Sequence, residues 1–288
     1  MADADRGGRV ASGAVLTESD FRAYLAAFNR SDFDRLGGFY AAEVEFAGRA
    51  ARLRGREAVV RFYRDVKSRV RETLTLHGIV VGPRAIVADV ETELCALADW
   101  PDFPTGPLAR GETRRSQNFI WYDVAEDRFT RIRSAHHRRL QVGDVVADMA
   151  VTSDPPMPLE RLTEYVAAFN RGDYSAFGDF YDADVVLDIA GKRVLRGRDA
   201  IFDFYRVVRA QTQRTIEVVD AVADGNRLAA ELQSEFLALE DLPDFTAGAM
   251  RKGDRIYINT IAFYELRAGR FARIRSAELR KIPRALDR

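Results

Sequence analysis

The chain has 288 residues, of which 47% are hydrophobic and 31% charged, with 44 basic side chains against 44 acidic ones. The composition is that of a globular protein and the length suits two domains, each able to bury its own core. A formal net charge of zero gives no global field for nucleic acid or anionic lipid, and no apolar run is long enough to span a bilayer.

Residues 1 to about 15 read as a mobile tail without an apolar leader. Thr17 or Ser19 can cap a first helix, on which Phe21, Tyr24, Leu25 and Phe28 share one face. A short second helix runs from Phe33 to Tyr40. Val44 to Phe46 alternates as a strand, Gly48-Arg49 turns it, and Arg52 to Arg54 enters a second strand. Gly55 to Glu57 opens a third helix striped by Val59, Phe62, Tyr63, Val66 and Val70. Four long strands follow: Thr73 to Val81, Ala85 to Ala96, Arg114 to Tyr122 and Arg128 to His137. The loop from Asp99 to Gly111 joins two of them. Helices first and a meander after predict an α+β fold, with helices packed on one face of a curved sheet.

The plan then repeats. Tyr24-Leu-Ala-Ala-Phe28-Asn29-Arg30-Ser-Asp32 returns as Tyr165-Val-Ala-Ala-Phe169-Asn170-Arg171-Gly-Asp173. Phe39-Tyr40 returns as Phe180-Tyr181, and Leu53-Arg-Gly-Arg-Glu-Ala58 as Leu195-Arg-Gly-Arg-Asp-Ala200. Phe62-Tyr-Arg64, Pro101-Asp-Phe103 and Arg131-Ile-Arg-Ser-Ala135 also recur, as Phe204-Tyr-Arg206, Pro243-Asp-Phe245 and Arg273-Ile-Arg-Ser-Ala277. Two domain-sized copies make a tandem duplication rather than a solenoid. The expected boundaries are 15–140 for the first domain, 141–158 for a linker with Gly143 and Pro155-Pro156, and 159–288 for the second. The single cysteine, Cys95, can form no internal disulfide, which suits a reducing, cytoplasmic setting.

The element order and the repeated Y…N-[RG]-D, F-Y, G-R-[ED]-A and F-Y-R signatures resemble the SnoaL-like/NTF2-like superfamily, over nearly the whole chain, twice. The resemblance implies two conical α+β barrels, each with a hydrophobic pocket between its helices and a concave, mostly antiparallel sheet. It does not choose among isomerases, epoxide hydrolases, cyclases, dehydratases and binding modules.

Similarity to the ketosteroid isomerases implies that Tyr24 and Tyr165 donate a hydrogen bond to a developing oxyanion. The alternative for each is a core tyrosine. The aspartate base of those isomerases is replaced by Gly48 and Ile189. Asp188 lies one residue early, where alternation turns it to the opposite face, and reads as a solvated strand-end acid. The second oxyanion donor falls at Asn118 and Thr260. Ser116 and Arg114 share Asn118's face, whereas Arg115, Gln117, Phe119 and Trp121 lie on the other. On the last strand Ile132, Ser134 and His136 correspond to Ile274, Ser276 and Glu278. His136 or Glu278 in an apolar pocket is a candidate acid or base, and a water-facing rim position is the alternative. His136 and His137 point to opposite faces and cannot share a metal. His77 reads as structural.

The loops Trp100 to Phe103 and Leu242 to Phe245 read as lids, binding loops or plugs for the neighbouring domain. Asp89, Glu91 and Glu93 alternate on one face of the fourth strand, as do Glu231, Gln233 and Glu235 in the second copy, and Arg131, Arg133, Arg273 and Arg275 lie off the pocket face of the last strands; all read as charge ladders on the convex sheets. There two domains or two chains pack, each exposed pair contributing little. No phosphate loop, Cys/His cluster or nucleophile elbow is present, so no cofactor or metal is implied.

These residues predict a cofactor-independent acid–base enzyme for a small hydrophobic, phenolic substrate. Tyr24, Asn118 and His136 are its catalytic candidates, and Arg114, Ser116, Ser134, Trp100 and Phe103 its substrate contacts. Tyr165, Thr260, Glu278 and Asp188 are candidates in the second pocket. Elimination of water or formaldehyde is the expected chemistry. The doubled architecture is also similar to that of two-domain bacterial lyases of lignin-derived diaryl compounds. An isomerase, cyclase or epoxide hydrolase for a terpenoid, steroid or polyketide is the alternative, as is a non-catalytic module with filled pockets. The expected partners are that substrate and a second copy of the chain, held through the convex sheet faces. Neither nucleic acid nor a membrane is expected as a partner.

Overall fold

The computed structural model describes residues 16–152 and 155–284; the tail expected over residues 1 to 15 lies outside the described residues. Domain 1 comprises α1 (Glu18–Asn29), α2 (Phe33–Gly38), β1 (Tyr40–Ala47), β2 (Arg52–Arg54), α3 (Arg56–Arg69), β3 (Val70–Val81), β4 (Ala85–Ala96), β5 (Thr113–Ala125) and β6 (Arg128–Leu140). Domain 2 repeats it with α4 (Leu159–Arg171), α5 (Tyr174–Gly178), β7 (Tyr181–Ile189), β8 (Arg193–Arg196), α6 (Arg198–Gln211), β9 (Thr212–Asp224), β10 (Arg227–Ala238), β11 (Arg255–Arg267) and β12 (Arg270–Arg284). No described helix is long and apolar enough to cross a membrane.

The repeated motifs are joints. Thr17 caps α1 and Asp20 returns a bond to the Thr17 backbone, closing a capping box. At the far end of α1, the Asn29 amide donates to the Leu74 carbonyl at 2.9 Å and accepts from Leu74 N–H at 2.8 Å, which fixes the helix to β3. Asn170 makes the same pair of bonds to Ile216. Arg56, which opens α3, donates to the Tyr40 carbonyl at 2.9 Å, and Arg198 does the same to Tyr181. The Asn and Arg signatures thus hold helices against strands, while the Phe and Tyr between them fill the core.

Strands β3 to β6 form an antiparallel meander, with β1 added parallel to β6; β9 to β12 and β7 repeat this. The helices cover the concave face of each sheet. The convex faces pack on each other, through Phe119, Trp121 and Ala135 from domain 1 against Ile261, Phe263 and Ala277 from domain 2. The two meanders also touch edge to edge, where His136 pairs with Glu278. Of the two expected arrangements for the convex faces, two domains or two chains, the structure shows the packing of two domains of one chain.

The inner rungs of the charge ladders, Asp89, Arg133, Glu231 and Arg275, are buried between the sheets, whereas Arg131 stays exposed. Arg133 pairs with Glu231, and its equivalent Arg275 pairs with Asp89, the equivalent of Glu231. Each sheet thus gives the other the same ion pair, the reciprocity of a two-fold interface folded into one chain. Asp89 also accepts from Gln117 at 2.8 Å, and Arg133 reaches Asp123 at 2.7 Å. Buried pairs of this kind cost far more to break than surface pairs, because the orphaned charge stays out of water. His77 is structural. Its Nδ1 meets Asp148 at 2.8 Å, its carbonyl accepts from Met149 N–H, and Met149 fills the space above Gly78. These contacts pin the linker across the sheet.

Candidate active site

In domain 1 a cavity of about 170 Å³ lies between the helices and the concave sheet. The structure brings Tyr24, Asn118, Ser116, Ser134 and Phe103 together on its wall. Tyr24 sits among other phenols: its hydroxyl is 3.2 Å from that of Tyr40, and Tyr63 and Tyr122 line the same chamber. Burial pushes the Tyr24 phenol up to about 12, against the opposing effect of hydrogen bonds with Tyr40 and Tyr122. The Asn118 amide donates to Thr92 and Ser116, both at 3.0 Å, and its oxygen lies 3.3 Å from Nδ1 of His136. The one carboxyl on this wall is Glu72. Burial pushes it up to about 7, and the charge of Lys67 only partly opposes this.

Domain 2 encloses a larger cavity of about 460 Å³. Tyr165, Tyr205 and Tyr264 repeat the phenols of domain 1, and Thr260, Ser276 and Glu278 stand on the wall as the alternation predicts. The Tyr165 hydroxyl is 2.8 Å from that of Tyr181, and burial raises the Tyr165 phenol well above its ordinary value. Where domain 1 has Ile120 and Phe46, domain 2 has Ala262 and Leu187, and the smaller side chains open the chamber. Where domain 1 has Glu72, domain 2 has Arg214. This guanidinium lies over the rings of Phe236, Phe169 and Tyr205, at 4.9, 5.2 and 5.6 Å. It donates from Nη2 to Ser234 at 3.3 Å, and its buried Nε has no hydrogen-bond partner. A cation held by aromatic faces in an apolar chamber is set to receive an anion.

His136 lies outside the first cavity. It lines a cleft of about 570 Å³ between the domains, with Arg49, Lys192, Glu278 and Arg280. Partial burial first, then Arg49, His137 and Lys192, push its imidazole down to about 4, so it is neutral at pH 7. Arg114 and Trp100 line none of these cavities. Arg114 is a loop clamp, pairing with Glu112 at 2.6 Å and donating to the carbonyls of Gly106 and Pro107. Trp100 packs on Phe103 and under Arg69. Asp188 is not a solvated acid. It is tucked against His137 at 3.3 Å and accepts from Gly191 N–H at 3.0 Å. Burial works to raise its carboxyl, but the bond and charge of His137 outweigh it and hold the group low. The Pro-Asp-Phe loops cover their own barrels: Phe103 closes the first cavity and Phe245 the second.

Sequence reasoning missed Glu72 and Arg214. Both sit near the start of the third strand of their copy, the first of its four long ones, in the joint after a helix. The available signal was the repeat itself, which aligns a carboxylate with a guanidinium between otherwise matching neighbours.

Among solved structures the chain is similar to a SnoaL-like polyketide cyclase from Agrobacterium tumefaciens (20% identity, 42% of this chain and 92% of that one, TM-score 0.35). It is also similar to an LEH-like epoxide hydrolase of M. tuberculosis (14%, 41% and 80%, 0.34) and to TsrD from Streptomyces laurentii (18%, 42% and 87%, 0.35). No curated protein matches the chain. The model of the SnoaL-like domain matches residues 21–132 and again residues 162–274. With the same barrel built twice from the same joints, the chain belongs to the SnoaL-like family, as a tandem pair of its domains.

Proposed function

We propose that this protein is a cofactor-independent acid–base enzyme whose reaction chamber is the domain 2 cavity. We further propose that it eliminates water or formaldehyde from a small phenolic substrate of two linked rings. The observation that carries this reading is a cation held among aromatic rings and the single carboxyl on the wall of one apolar chamber, Arg214 on β9 and Glu278 on β12. They stand three strands apart, Arg214 level with Phe236 and Ile256 and Glu278 level with Thr260, so they lie toward opposite ends of the chamber. That span suits two linked rings, and the volume lies within the usual range for ligand sites.

The roles follow from the chemistry of each group. Arg214 stabilises the phenolate, or the enolate of a related substrate, as charge develops. The phenols Tyr165 and Tyr205 stay protonated and can donate to the same oxygen. Electron density pushed from the phenolate expels a benzylic hydroxyl, which leaves as water with a proton that Thr260 or Ser276 relays from solvent, replacing the one the phenol released to solvent. Glu278, at the mouth, accepts the proton that the substrate loses next and exchanges it with solvent. In the first domain, Tyr24 and Asn118 face a chamber too small for two rings. There we assign them to binding a smaller molecule or to stabilising the barrel.

The test is mass spectrometry on two-ring phenols, epoxides and ketosteroids, incubated without added cofactor or metal. Loss of water or formaldehyde from the phenols, abolished in Arg214→Leu and Glu278→Gln, supports the proposal. A product of unchanged mass, or one with water added, would move the reading to an isomerase or an epoxide hydrolase. No turnover and no stabilisation by any ligand would leave a non-catalytic module.

A further inference from the structure

The cleft between the domains is chemically unlike either cavity. The turns of two equivalent hairpins reach into it, carrying Arg49 between β1 and β2 and Lys192 between β7 and β8. Arg52 and Arg280 join them. None of these four side chains has a carboxylate partner among the described residues, whereas Arg133 in the same cleft is taken up by Glu231 and Asp123. Arg131 has only a loose, exposed contact with Glu45 at 3.9 Å. Glu278 and Glu231 are the acids on the wall, and Glu231 is already paired. Unpaired cations gathered from two domains repel one another, so the cleft is built to gain from an anion.

The cleft is also continuous with the reaction chamber. Ala190, Lys192 and Glu278 line both it and the domain 2 cavity. A ligand whose body lies in that cavity can therefore place its end between Arg49 and Lys192.

We propose that the interdomain cleft is an anion subsite, holding the carboxylate or phosphate of an amphipathic aromatic ligand whose apolar body enters the domain 2 cavity. This subsite is a binding site in its own right and stands whether or not the chamber performs elimination. Together with the proposed function, it makes the substrate an acid-bearing aromatic. His136 reports on the site: its neutrality follows from burial and from the nearby cations Arg49 and Lys192, with His137 behind. A bound anion offsets those cations and makes the imidazole easier to protonate.

Calorimetric titration of the full chain tests this, with biphenyl-4-carboxylate, biphenyl-4-carboxamide, phenyl phosphate and inorganic phosphate as probes. The acid should bind about tenfold tighter than the amide at low salt. In an Arg49→Ala/Lys192→Ala double variant that preference should fall to about twofold. In Arg214→Met it should survive. The double variant changes two exposed side chains, and circular dichroism checks that it and Arg214→Met fold. In the wild type, binding of the acid should raise the pH at which the His136 ring resonances titrate. Equal affinity for acid and amide would overturn the proposal. So would a preference lost with Arg214 but kept in the double variant, which would place the anion inside the cavity. Inorganic phosphate binding as tightly as phenyl phosphate would overturn the amphipathic ligand and leave a free-phosphate site.

Discussion

In the first cavity the charged group set among the phenols is Glu72 on β3; in the second, at the same place on β9, it is Arg214. Around them the two barrels keep the same tyrosines, the same asparagine joint and the same arginine tie to the first strand. Duplication preserved what holds the barrel and released what faces the cavity. A carboxyl raised to about 7 in a narrow chamber and a guanidinium without a carboxylate partner in a wide one suit different ligands. On the proposed function, a wall position on one strand sets the chemistry, while the helix face behind it maintains the fold.

The largest expected effect comes from erasing the charge in the wide chamber. Arg214→Leu should lower kcat/KM on a phenolic substrate about a hundredfold or more, the scale of losing one preorganised donor to a developing oxyanion. Glu72→Gln should change it by less than about threefold. Steady-state assay of both variants decides whether the chambers differ in role.

A second contrast is in pH. The folded Glu72 carboxyl titrates at about 7 and an unfolded one at 4.5. Between those values the folded chain holds the extra proton. Its contribution to stability is therefore full below about pH 4.5 and is lost as pH rises through 7, by roughly 3 kcal/mol. Urea midpoints measured across this range should show the loss in the wild type and not in Glu72→Gln. Arg214→Gln should leave it in place.

The smallest change concerns size. Ala262→Ile gives the second cavity the side chain of the first. It should weaken binding of a two-ring phenol about tenfold or more, at the scale of a few methylenes in a pocket. The converse Ile120→Ala should enlarge the first cavity and cost about 2–5 kcal/mol of stability, read from the urea midpoint.

How much of this was legible depends on what each residue does. The fold could be read because its joints are sequence motifs that occur twice, and because strand alternation placed Phe119 and Trp121 on the packed face and Asn118 and Ser116 in the cavity. The partner of the packed face was harder to read, since alternation tells a surface from a core but not which surface covers it. Arg133 and Asp89 thus looked like exposed ladders. Arg114 lies on the correct face but at the strand end, where loop carbonyls are nearer than the chamber. His136 was placed on the cavity side, yet the strand carries it past the rim into the cleft. Glu72 and Arg214 were missed because they begin their strands, at helix–strand boundaries where periodicity is weakest.

We assign the substrate to the wide chamber of domain 2 and not to the narrow one of domain 1. The most direct measurement is product formation from two-ring phenols by the wild type, Arg214→Leu and Glu72→Gln, followed by mass spectrometry. Product is expected from the wild type and Glu72→Gln, and little from Arg214→Leu. Loss of product with Glu72→Gln while Arg214→Leu stays active would contradict this assignment and return the chemistry to the first cavity.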